Sequence, residues 1–352
     1  MTDTQMRPAE GSLGPERSHS DAPILEVKNL VMNYQTKSGM VSAVEDVSFT
    51  LPKGRSLGLV GESGCGKTSV ALTLMRLTAN NARVLGGEVK LDGENLLELS
   101  DEEMRLRRWD DLSMVFQGAM NSWNPVYTVG EQIREAMDLH WDPKPSASEA
   151  RAKAEELFRL VGLNPDMIDR YPHEFSGGMK QRAVIAMALS CDPKLIIADE
   201  PTTALDVIVQ EQILEELRKI QNELGMSIIY ISHDIAVIAE ITDLMGVMYA
   251  GKLVEFGETS DIFARPRHPY AWLILSSTPS ITGPRRQLAP LEGEPPNLLD
   301  PPSGCRFHPR CPFATQQCVE QEPPLAEIEP GHSIACWNYE QVPVGITTEA
   351  AE

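Results

Sequence analysis

The most constraining stretch of the chain is SLGLVGESGCGKTSVALTLMRL, residues 56–77. A short apolar run is followed by a glycine-rich turn and then by apolar residues at helical spacing, which predicts strand, loop and helix in that order. Gly61–Thr68 fits the pattern G-x-x-x-x-G-K-S/T. Gly61, Gly64 and Gly66 let the backbone curl until its amide N–H groups face a phosphate. The helix that follows adds its positive end. Lys67 is placed to reach β- and γ-phosphates, and the Thr68 hydroxyl to ligate Mg²⁺. The candidate nucleotide-binding set is therefore Gly61, Glu62, Ser63, Gly64, Cys65, Gly66, Lys67, Thr68 and Ser69. Cys65 reads as a small residue that fits the loop, not as a redox centre.

A second element answers the first. LIIADEP, residues 195–201, is an apolar strand that ends in two acids. Beside a phosphate loop, an acid at the carboxyl end of a strand is where Mg²⁺ has to be held. Asp199 is expected to hold the ion through water. Glu200, pointing to the opposite side of the strand, suits a general base for an attacking water.

The rest of the chain supports one large α/β domain with appendages. Residues 1–22 and 341–352 are expected to be disordered, residues 23–278 to form the main α/β domain, and 279–304 to be a Pro-rich linker leading to a cysteine segment at 305–340. Helices are expected through about 128–190, with the helical subdomain at about 118–187. KLIIADEP and SIIYISHD read as buried parallel strands joined by the helix VQEQILEELRKIQNEL, a βαβ unit. The net charge of −20 argues against nucleic acid as a partner. The amino end has no secretory apolar core. The one long apolar stretch, Met226–Ala250, is interrupted by His233, Asp234, Glu240 and Asp243, so no membrane span is expected. A cytoplasmic chain follows as the expectation, and there cysteine clusters are more often metal sites than disulfides.

The motifs together resemble the ATP-binding cassette (ABC) ATPases. EFSGGMKQR, residues 174–182, is similar to that family's signature LSGGQ. Tyr34 resembles the aromatic that stacks on adenine, Gln117 the Q-loop residue, Asp206 the D-loop aspartate and His233 the switch histidine. The resemblance spans about residues 24–275. It implies an ATP- and Mg²⁺-dependent ATPase with a parallel sheet, a helical subdomain and an antiparallel β edge. It assigns catalytic roles to Glu200, His233 and Gln117, and Mg²⁺ contacts to Thr68, Gln117 and Asp199. Ser176, Gly177 and Gly178 open a helix and form an anion site. In the family that site faces the γ-phosphate held by a second protomer, so a dimer with an identical or paralogous chain is implied. Two positions depart from the pattern: Phe175 stands for Leu and Met179 for Gln. The segments RPRHPYAWLILSSTPS and PPSGCRFHPRCPFA resemble the region after the cassette in oligopeptide/dipeptide importers. The resemblance thus implies two transmembrane permease subunits and an extracytoplasmic binding protein as partners, at the cytoplasmic face of the membrane. Substrates in that branch include peptides, nickel and some sugars. A soluble ABC protein of ribosomes or DNA is the rival, disfavoured by the single cassette and the acidic balance. A kinase or GTPase would lack the signature and the switch histidine.

Four of the six cysteines, Cys305, Cys311, Cys318 and Cys336, lie at one end of the chain. Zinc sites usually pair their ligands more closely, and this spacing suits a 4Fe–4S cluster at least as well. Zinc and metal-free packing or disulfides remain open from spacing, while the resemblance points to the iron–sulfur cluster. His308 and His332 are expected to be exposed loop residues.

Overall fold

The computed structural model describes residues 22–203, 205–277 and 291–343. The expected disorder at 1–21 and 344–352 and the linker residues 279–290 lie outside the described residues. From the amino end, β1 (Pro23–Thr36) and β2 (Gly39–Pro52) form a hairpin closed at Thr36↔Gly39. β3 (Ser56–Val60) is buried throughout and leads through the phosphate loop into α1 (Lys67–Leu74). β4 (Ala82–Leu91) returns to pair with β1, and β5 (Glu94–Asn95) extends that sheet. α2 (Asp101–Asp110) loses helical geometry at Arg108 and Trp109 and delivers β6 (Leu112–Val115). Three helices follow: α3 (Val129–His140), α4 (Ala147–Leu160) and α5 (Gly177–Ala188). Then come β7 (Leu195–Asp199), α6 (Val207–Leu224) and β8 (Ser227–Ser232), the expected βαβ unit. α7 (Ile235–Ile241), β9 (Leu244–Tyr249), β10 (Lys252–Glu258), α8 (Thr259–Ala264) and α9 (Pro269–Ser276) complete this region. The cysteine segment carries α10 (Gln316–Glu320), β11 (Ala326–Glu329) and β12 (His332–Ile334).

These strands make two sheets. One is antiparallel, in the order β2-β1-β4-β5. The other runs β11-β12-β10-β9-β3-β8-β7-β6, with the stretch from β9 to β6 parallel. Successive residues of β8 show why its sequence is apolar throughout. Ile229 and Ile231 enter a core shared with β1–β2 and α1, while Ile228 and Tyr230 enter a second core shared with α5, α6 and α7. A strand buried on both faces has no polar side to offer water.

Helix starts follow local chemistry. Thr128 with Glu131 and Ser146 with Glu149 form capping boxes on α3 and α4. α6 stops at Gly225, in the left-handed region with φ 66°. Among the described residues no helix is long and apolar enough to cross a membrane.

The cysteine segment is less of an appendage than expected. β12 pairs with β10 through Glu255↔Ile334 and Phe256↔Ser333, so it continues the main sheet. This covers an edge that would otherwise present unpaired backbone groups. The described end of the supposed linker also packs: Leu291 and Leu298 lie against the core, and the Leu298 carbonyl accepts from Ser42 N–H at 3.3 Å. His332 corrects the sequence expectation. It is buried in β12, and its Nε2 lies 2.8 Å from Glu255 Oε1.

Candidate nucleotide site

Register sets the site. Val60 pairs with Ser232, Asp199 with Ile231, and Val115 with Ala198. Gly61, His233, Glu200 and Gln117 therefore emerge together beyond the carboxyl ends of four parallel strands, where open α/β sheets bind ligands. Two glycines of the loop are obligatory. A Cβ on Gly61 (φ 148°) would sit 2.1 Å from the Met248 carbonyl oxygen, and one on Gly66 (φ 105°) 2.3 Å from that of Ala43.

Lys67 crosses the loop, with Nζ donating to the carbonyls of Gly61 at 2.6 Å and Glu62 at 3.0 Å. Its side chain is buried, so these bonds keep the ammonium satisfied. Cys65 is buried beside it, with Sγ 3.5 Å from Lys67 Nζ. Burial pushes the Cys65 thiol up despite that charge, so it stays protonated, in keeping with a packing role. Tyr34 OH lies 3.3 Å from Ser69 Oγ, which places the aromatic against the first turn of α1.

Asp199 is buried at the end of β7, and its Oδ1 has no hydrogen-bond partner. Burial raises its pKa, opposed in part by the neighbouring Thr68 hydroxyl and the Lys67 charge. A buried carboxylate with an orphaned oxygen, next to an exposed Thr68, fits a divalent cation.

Glu200 is not the alternating strand residue expected. β7 ends at Asp199, and Glu200 turns out of the strand with φ 45°, rare for a residue with a side chain. That turn carries its carboxylate into a cluster. Gln117 Nε2 donates to Oε2 at 2.8 Å, Thr203 Oγ1 donates to the same oxygen at 2.9 Å, and His233 Nδ1 lies 3.2 Å from Oε1. Burial raises the Glu200 pKa, but the bonds from Thr203 and His233 and the nearby positive charge outweigh it, leaving the group below the usual carboxylate range. Gln117 thus contacts Glu200 instead of the Thr68–Asp199 pair. Thr203 was not legible in advance, since a threonine after an acidic strand end carries no signal of its own.

The signature residues form a separate group. Ser176 Oγ accepts from Met179 N–H at 3.3 Å and caps α5. Asp206 caps α6 through Val209 N–H at 3.0 Å. A Cβ on Gly178 would meet Val209 at 2.8 Å, so the two caps are packed together. Phe175 is buried, edge-on to Phe158 at 6.5 Å, which accounts for an aromatic at that position.

The four carboxyl-terminal cysteines, Cys305, Cys311, Cys318 and Cys336, line one cavity together with Phe307 and Trp337. All four thiols are free. Thr315 Oγ1 and Asn338 Nδ2 lie 3.4 Å from Cys318 Sγ, and Asn338 N–H donates to Cys336 Sγ at 3.3 Å. The donor chemistry suits thiolate ligation, but the cavity holds about 10 Å³, room for one water. Among the described residues no group of three or more His, Cys, Asp or Glu stands as a metal site. The 4Fe–4S and zinc expectations thus find no formed metal site among the described residues. Burial pushes Cys311 and Cys336 up to about 12, so without a cation they remain protonated.

Residues 44–203 match the ABC transporter family, and residues 254–318 match the family described as "Oligopeptide/dipeptide transporter, C-terminal region". The chain belongs to the ATP-binding proteins of ABC transporters, in the oligopeptide/dipeptide branch. It is 45% identical to a probable peptide ABC transporter ATP-binding protein of Sinorhizobium fredii, covering 91% of this chain and 96% of that one. It is 44% identical to the dipeptide transport ATP-binding protein DppD of Bacillus subtilis, over 90% of this chain and 95% of that one. Among solved structures, a dimeric ATP-binding cassette in a post-hydrolysis state with ADP and Pi aligns with a TM-score of 0.60 and 27% identity, covering 67% of this chain and 98% of that one. The fold is that of an ABC ATPase cassette, and the protein is an ATPase.

Proposed function

We propose that this ABC ATPase powers a binding-protein-dependent importer of di- and oligopeptides. The observation that carries the catalytic part is the cluster of Gln117, Thr203 and His233 around Glu200, beside a complete phosphate loop. In this reading Glu200 is the general base, His233 and Gln117 hold it and the γ-phosphate, and Lys67 neutralises phosphate charge. Asp199 and Thr68 hold Mg²⁺, which supplies charge neutralisation on the phosphates. Tyr34 stacks on adenine. Ser176, Gly177, Gly178 and Asp206 serve the ATP of a second protomer, identical or paralogous.

The peptide class rests on the relatives' printed names and on the match over residues 254–318. Two permease subunits and an extracytoplasmic binding protein are the partners, and the chain sits peripherally on the cytoplasmic face of the membrane. The test is complementation: the full chain should restore uptake of a labelled dipeptide to a strain lacking its own copy, and should co-purify with multi-spanning proteins. Recovery of ribosomes instead would sink the importer reading.

The cysteine cavity belongs to the same proposal. A structural 4Fe–4S cluster, with zinc as the alternative, is proposed there on the four free thiols around one space and the donors to two of the sulfurs, although no formed metal site stands among the described residues.

A further inference from the structure

The second residue of the phosphate loop is an acid, Glu62, in a loop whose ligand is a polyanion. An unpaired carboxylate there repels phosphate. The chain answers this from its far end, 248 residues away. Arg310 Nη1 donates to Glu62 Oε2 at 2.8 Å and Nη2 to Oε1 at 3.1 Å, a two-pronged pair. The Arg310 side chain is only 6% exposed. Its Nε donates to the Glu292 carbonyl at 2.9 Å, and its guanidinium lies 5.8 Å from the centre of the Tyr249 ring. The mount beneath it is buried. Phe307 is buried between Tyr249 and Tyr270, at 5.0 and 5.4 Å between ring centres, and Arg306 binds Glu45 and the Ala250 carbonyl.

Glu62 is held through its carboxylate, its N–H and its carbonyl. Arg310 takes its carboxylate, its N–H donates to Tyr270 OH at 2.9 Å, and its carbonyl accepts from Lys67 at 3.0 Å. None of these bonds consumes an amide of Ser63, Gly64, Gly66 or Lys67, the groups a phosphate needs. Of the loop's backbone amides only the Cys65 N–H donates back within the loop, to the Glu62 carbonyl at 3.2 Å, so the Glu62 carboxylate takes its partner from outside the loop.

We propose that Arg310 is a positioning residue of the nucleotide site: it neutralises Glu62 and turns it away, so that the phosphate loop presents free amides to a triphosphate. This rests on the ATP-site reading above. It makes the cysteine segment part of the nucleotide site's support, since Arg310 directly precedes Cys311.

The test uses the full chain, trinitrophenyl-ATP binding and steady-state MgATP hydrolysis. R310Q should weaken nucleotide binding and raise KM about tenfold while leaving kcat within about twofold. The defect should shrink when salt rises from about 0.05 to 0.5 M, because the exposed Glu62 charge is then screened. R310K should recover part of the affinity, and the double variant E62Q/R310Q most of it, because no unpaired carboxylate remains. Unchanged affinity in R310Q overturns the proposal. So does a defect that neither salt nor the second substitution relieves, which would leave Arg310 a merely structural role. If R310Q does not fold, the double variant and R310K decide by the same affinity criterion. Failure of the wild-type chain to bind the nucleotide would instead overturn the ATP-site reading.

Discussion

Glu200→Gln separates chemistry from architecture. In the structure the Glu200 carboxylate accepts from Gln117 at 2.8 Å and Thr203 at 2.9 Å on one oxygen, and meets His233 Nδ1 at 3.2 Å on the other. A glutamine amide satisfies the same three partners. Its oxygen accepts from Gln117 and Thr203, and its NH₂ donates to an unprotonated imidazole nitrogen. The left-handed backbone at position 200 is unaffected by the exchange, so the folded state should hardly change. What disappears is the group that takes a proton from water. Removing a positioned general base costs a factor of roughly 10²–10⁴, or about 2.7–5.4 kcal/mol in the barrier at 1.36 kcal/mol per tenfold. The assay is single-turnover phosphate release from MgATP, with binding measured separately and the ATP-trapped dimer followed by size-exclusion chromatography. The expected result is retained binding, a stable ATP-bound dimer and a rate lowered by that factor. A rate within about threefold of wild type would refute the general-base role. The wild-type pH profile adds a check. Burial raises the Glu200 pKa but the Thr203 and His233 bonds and nearby charge pull it further down, so its folded value lies below its unfolded one. Its contribution to stability is thus complete above the ordinary carboxylate range and is lost as pH falls through the lowered value. Activity should show no glutamate-dependent fall near neutrality.

Lys67→Ala removes the ammonium that now bonds to the Gly61 and Glu62 carbonyls, and nucleotide affinity should fall at least about tenfold in equilibrium binding. Unchanged binding would count against the phosphate-loop assignment. Phe307→Ala empties a site 1% exposed among Tyr249, Tyr270 and His268, and should destabilise the chain by about 3–5 kcal/mol in denaturant unfolding. A loss under about 1 kcal/mol would mean the cysteine segment is not anchored there. Cys311→Ser should lower bound iron or zinc measured by elemental analysis, and unchanged metal per chain would count against ligation.

The nucleotide site was legible because its chemistry is local. The phosphate loop needs specific residues at fixed spacing, and β7 announces itself by four apolar residues running into an acid. Positions 34, 117, 176–178, 206 and 233 were reached through the order of motifs, not through any single pattern. Glu200 shows the limit of period-two reasoning: the strand ends one residue earlier, and a left-handed turn, invisible to alternation, aims the carboxylate. Thr203, Tyr270 and Arg310 left no trace because their partners are set by tertiary packing. The antiparallel pairing of β10 with β12 was hidden for the same reason, since register between distant strands is fixed by the buried face and not by neighbours in sequence.

The buried carboxylate of Glu255 explains why the carboxyl-terminal segment cannot be a loosely tethered tail. Glu255 is wholly buried in β10 and accepts from the backbone N–H groups of Arg267 and His268, both at 2.8 Å. Its third partner, His332 Nε2 at 2.8 Å, comes from β12. A buried carboxylate is tolerated only when its oxygens are satisfied, and breaking such a set is more costly than never having built it. The same segment closes the β10 edge, fills the space between Tyr249 and Tyr270 with Phe307, and neutralises Glu62 with Arg310. Edge, core and nucleotide loop each lose a partner if it departs. The segment that looked like an accessory bearing four cysteines is therefore a wall of the ATPase itself, and whatever occupies its cysteine cavity lies one residue from the arginine that steadies the phosphate loop.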